Sequence, residues 1–130
     1  MHILNPPDWK KPKGYANGIM AQGKHIFVGG QIGWDSQQIF HTDDLVAQTK
    51  QALCNIVTVL AQANAKPEHI VRLTWFVIDK QEYLARQQAL GQVYREVLGR
   101  HFPAMTLVQV ADLLEDRAQV EIEATAVLPQ

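Results

Sequence analysis

The stretch Ile70-Val71-Arg72-Leu73-Thr74-Trp75-Phe76-Val77-Ile78 decides the fold. It is dense in β-branched and aromatic residues, which suit a pleated, half-buried surface. Alternation puts Leu73, Trp75 and Val77 on one side of the extended chain and Phe76 and Ile78 on the other. A strand apolar on both sides belongs in the middle of a sheet.

On either side of this strand the period changes to that of a helix. From Asp44 to Ala63 the positions Leu45, Thr49, Ala52, Leu53, Ile56, Val59 and Leu60 recur at helical spacing, with Thr42 or Asp43 as the cap. A second helix is expected from Gln81 to Leu98, capped by Asp79 and ended by Gly99, with Tyr83, Gln87, Leu90, Tyr94 and Val97 on one stripe. Farther out lie more strands. Gly18–Ala21 and His25–Gly29 flank Gln22-Gly23-Lys24 and read as a hairpin, after which Gly29-Gly30-Gln31-Ile32-Gly33 reads as a strand end. Thr106–Val110 and Gln119–Val127 close the chain, with Val120, Ile122, Ala124 and Ala126 alternating against Glu121, Glu123 and Thr125. Residues 1–14, rich in proline and lysine, read as an irregular arm.

This order, ββαβαββ, describes one α+β domain over residues 1–130: a mixed sheet with two helices on one face. The other face then lacks a cover. Exposed Phe76 and Ile78 would leave an apolar patch, and self-association is the usual remedy.

The chain has 130 residues, 47% hydrophobic and 19% charged, with a net charge of −1 that gives no surplus for nucleic acid or an anionic membrane. The start shows no signal-peptide pattern and no apolar run approaches a membrane span, so a cytoplasmic protein is expected. Cys54, the one cysteine, suits a reducing compartment and reads as a semi-buried small hydrophobe. The five histidines lack paired ligand spacing, so neither a metal nor a cofactor is expected.

Four segments carry a resemblance: Gly29-Gly30-Gln31-Ile32; Gln48 through Asn55 with Ile56; Phe102-Pro103-Ala104-Met105-Thr106; and Val120-Glu121-Ile122-Glu123-Ala124. Together they resemble the RidA/YjgF family over Tyr15 to Val127. The resemblance implies a chorismate-mutase-like fold, a homotrimer with a central barrel, and pockets at the subunit interfaces. It also implies hydrolysis of reactive enamines and imines to a keto acid and ammonia.

By the same resemblance, Glu121 stands where the family has the glutamate that activates water; read alone, a glutamate alternating along a strand is a solvated one. Tyr15 matches a pocket tyrosine, and Gly30 keeps a backbone N–H for the ligand. Thr106 completes the third motif. Four positions depart from the pattern: Gly29 replaces a common serine, Gly91 a common asparagine, Leu107 a common cysteine, and Met105 the arginine that holds the substrate carboxylate. A thioether offers no donor where a guanidinium offers two parallel ones. Trp34 and Trp75 either add to the pocket or pack in the core. The expected activity is therefore a hydrolytic imine deaminase with altered substrate range; the alternative is a non-catalytic trimer that binds a small metabolite or a partner protein. Although some relatives are described as ribonucleases, this chain has no basic stripe with interleaved aromatics.

Overall fold

The computed structural model describes residues 1–130. Its elements run β1 (His2–Ile3), β2 (Ile19–Met20), β3 (Lys24–Ile32), α1 (Leu45–Ala61), β4 (Ile70–Val77), α2 (Lys80–Ala85), α3 (Gln87–Leu98), β5 (Ala104–Gln109) and β6 (Val120–Leu128). The main sheet has the order β3-β6-β4-β5, antiparallel except for the parallel pair β4 and β5. As its composition requires, β4 is interior. The mixed α+β architecture is thus the one read from the sequence.

Register sorts the side chains. Trp75 lies beside Ile122 of β6 and Leu107 of β5, while Phe76 lies beside Glu121 and Val108. Leu73, Trp75, Val77, Val120, Ile122, Ala124 and Ala126 face the helices and join Leu53, Ile56, Leu60, Leu90 and Leu98 in one core. The other face carries Phe27 at 75% exposure and Val108 at 42%, with Phe76 half-buried. No helix is long and apolar enough to cross a membrane.

Five expectations need correction. The hairpin does not form: β2 pairs with β1, whereas β3 pairs with β6, which offers a partner as long as itself. Gly23 is still needed at the turn, at φ 148°, because the Leu128 carbonyl occupies the place a Cβ would take. The first residues of the arm are accordingly a short strand. The glycines at 29 and 30 are not a strand end but a bulge within β3, where the register shifts between Val28 and Gln31. The cap of α1 is Asp44, not Thr42 or Asp43, with its carboxylate accepting from the Ala47 N–H at 3.0 Å. Finally, the second helix is two, so three helices cover the sheet; the chain leaves helical geometry at Arg86 (φ −114°, ψ 18°), whose guanidinium bonds Asp44 at 3.0 Å and Glu82 at 3.1 Å.

A buried amide ties α1 to the sheet. Gln48 is fully buried and donates to the carbonyls of Thr42 and Arg117, both at 2.9 Å, while accepting from the Gln119 N–H at 2.8 Å. Its stem also fills the space over Gly33, where a Cβ would come within 2.5 Å.

Asp44 holds two jobs, and its carboxyl lies below the ordinary aspartate range chiefly because of the Ala47 N–H and then Arg86. A depressed pKa contributes stability that is complete above the unfolded value and is lost as the pH falls through the folded one. Asp44→Ala should cost about 1 kcal/mol at neutral pH, with Asp44→Asn, itself a good cap, costing less. In urea melts the gap between wild type and Asp44→Ala should shrink below the aspartate range; a gap independent of pH would show that the carboxylate is not what caps α1.

Candidate functional site

Between β5, the sheet's edge strand, and α3 lies a cleft of about 450 Å³. The arm closes its rim because Ala16 bridges to Ala104, its N–H bonding the Pro103 carbonyl at 3.0 Å, and this sets Lys13, Gly14 and Tyr15 at the mouth. Met105 and Leu107 reach it from β5, Trp75 from β4, Gly91 and Arg95 from α3. Two stacked aromatic pairs form much of the wall: Trp75 on Tyr83 at 6.5 Å and Tyr94 on Phe102 at 5.4 Å between centroids.

Both phenols stay protonated, since burial pushes Tyr83 and Tyr94 above the ordinary tyrosine value. Tyr94 is also committed, donating to the His101 carbonyl at 2.6 Å while His101 Nε2 bonds the Ile70 carbonyl at 2.6 Å. The indole N–H of Trp75, in contrast, is buried without a partner, a state that costs about 1–3 kcal/mol. The lining holds two cations, Lys13 and Arg95, and no carboxylate.

The remaining expected residues lie elsewhere. Glu121 is on the sheet face away from the helices, half-buried, beside Phe76 in the register. Its carboxylate rests over Gly30, in the space a Cβ would occupy, and makes no hydrogen bond or ion pair. Gly29 is open and exposed on the same bulge, and Thr106, level with Thr74 and Glu123, shares Glu121's face. One chain therefore joins Tyr15, Gly91, Met105 and Leu107 in the cleft and holds Gly29, Gly30, Thr106 and Glu121 apart from them. Trp75 is both core and wall; Trp34 instead packs on Phe40 at 5.7 Å.

The family model described as Endoribonuclease L-PSP matches residues 9–128. The chain is 34% identical over 131 residues to a RutC family protein of Synechocystis, covering 99% of this chain and 98% of that one. It belongs to the RidA/YjgF family. This Rid chain is also similar, at 33% identity over 105 residues, to a 2-iminobutanoate/2-iminopropanoate deaminase of Salmonella typhimurium, covering 81% of the chain and 80% of that protein. In structure it superposes on the Rid family protein YyfB of Yersinia pestis with a TM-score of 0.87 at 30% identity, covering 98% of each chain.

Sequence reading of this Rid protein missed Lys13, Arg95 and Phe102 as cleft residues. Arg95 could have been found, because it lies one turn after Gly91 on the same helix and so shares its face. A mid-helix glycine costs about 0.5–1 kcal/mol relative to alanine. A Cβ at position 91 would meet only the end of the Arg95 side chain, at 3.2 Å. Gly91→Ala should therefore raise stability by about that amount in thermal melts. A loss of stability would mean that the wall at Gly91 is too tight to yield.

Proposed function

We propose that the protein is a hydrolytic deaminase of reactive imines, working as a homotrimer. The observation that carries this reading is the free carboxylate of Glu121, held over Gly30 without a partner to neutralise it. Such a group can take a proton from water as the water oxygen bonds to the imine carbon. It returns that proton to nitrogen, giving the carbinolamine, and then moves the hydroxyl proton to nitrogen as the C–N bond breaks and the C=O bond forms, so that neutral ammonia leaves. The 33% identity to an imine deaminase supports the same chemistry.

A trimer is supported by the sheet face that exposes Phe27 and Val108. It also gives the two groups of residues a way to meet. Tyr15 and Met105 of one subunit would bind the substrate, and Glu121 with Gly30 of the next would supply the proton transfer. Met105 cannot grip a carboxylate, so imines of the smallest amino acids are expected to be poor substrates. The thioether at 105 also favours a second reading, a metabolite-binding trimer without turnover, which would show ligand-dependent stabilisation and release no ammonia.

The test generates an imine in place with an amino-acid oxidase and measures acceleration of ammonia and keto-acid release. Glu121→Gln should lose about 10²–10⁴-fold of this acceleration with an unchanged fold. Met105→Trp should block the cleft. Hybrids refolded from the two inactive variants should regain activity, since some interfaces would then combine an intact cleft with an intact Glu121. Inactive hybrids, or a stable monomer in sedimentation, would overturn the shared site.

A further inference from the structure

We propose that Arg95 takes over the carboxylate of the substrate and that the cleft selects imino or keto acids with an aromatic side chain. The assignment rests on the deaminase reading for the choice of a 2-imino or 2-oxo acid; the selection itself comes from the cleft.

The cation comes first. Gly91 lacks a side chain, and the Arg95 guanidinium lies against the helix beside it, with Nη1 3.2 Å from where a Cβ would stand. There it lines the cleft, and its side chain has neither a hydrogen-bond acceptor nor an ion-pair partner in the chain. Since the lining contains no Asp or Glu, nothing local competes with an incoming anion. A guanidinium presents paired donors that match the two oxygens of a carboxylate, and the low-dielectric wall strengthens that contact. Lys13 is the one other cation here, but it is a point charge on the exposed arm.

The rest of the acid is selected by what surrounds it. A three-carbon acid would leave most of about 450 Å³ unfilled. The stacked pairs Trp75–Tyr83 and Tyr94–Phe102 offer surfaces on which a further ring packs, and Met105 puts a polarisable sulfur beside them. Methionine at 105 and glycine at 91 then have one explanation: the positive charge has moved from the strand to the helix, and the vacated space takes an aromatic side chain.

Calorimetric titration with phenylpyruvate, pyruvate and the carboxylate-free analogue phenylacetone tests this. Phenylpyruvate should bind at least tenfold more tightly than either of the others. Arg95→Gln, on an exposed helix position, should keep the fold and weaken phenylpyruvate at least tenfold without changing phenylacetone. Arg95→Lys should fall between. Gly91→Ala should weaken phenylpyruvate too, by displacing the guanidinium. Unchanged phenylpyruvate binding in Arg95→Gln, loss of it in Lys13→Ala instead, or equal binding of pyruvate and phenylpyruvate would overturn the proposal. Arg95-dependent binding with no release of ammonia from the phenylalanine imine would keep this site and remove the deaminase reading. Turnover of that imine with an unchanged KM in Arg95→Gln would do the reverse.

Discussion

β4 is held along both edges, antiparallel to β6 and parallel to β5, and it buries Leu73, Trp75 and Val77 under the helices while Arg72, Thr74 and Phe76 face the other way. A slip of one residue against either neighbour would turn Leu73, Trp75 and Val77 away from the helices and expose them. Its register is therefore fixed from two sides, and it fixes its neighbours in turn. Because Trp75 must face inward, Leu107 and Ile122 do as well, and Glu121 must face out. The division of the candidate residues between two faces is a geometric consequence of that single strand.

The strong periodic signals were legible in the sequence. β6 buries the apolar positions its pattern marks, α1 all of its own but Val59, and β4 Leu73, Trp75 and Val77, because packing follows directly from spacing of 2 or 3.6. What failed depended on partners distant in the chain. Gly23 does mark a turn, but no local feature says that Lys24–Ile32 leaves its neighbour for a strand nearly one hundred residues away. The break at Arg86 is equally silent, since Arg86 is a good helix former and its other partner, Asp44, lies at the start of α1. At the site, the expected residues split into two groups because alternation assigns faces only after the register is known.

The glycines at 30 and 91 act by what they leave out. At 30 the missing Cβ makes room for a carboxylate, and at 91 for a guanidinium. Neither position is a simple turn, and neither has φ in the left-handed region. Each gives a charged side chain from another position a place against the backbone, so the glycines at 30 and 91 shape the cleft and the outer sheet face by the space they leave.

Gln48 bears on how little the centre of the molecule can change. Both its donors and its acceptor are engaged, with the carbonyls of Thr42 and Arg117 on one side and the Gln119 N–H, just before β6, on the other. Replacing that amide by a carboxylate, as in Gln48→Glu, would change little in volume. It would, however, turn a donor into an acceptor facing two carbonyl oxygens in a place water does not reach, and unpaired buried charge is far more costly than a lost hydrogen bond. The damage would start at the junction of α1 with β6, deep in the domain, so the altered molecule would loosen from its centre outward while its surface remained as it was.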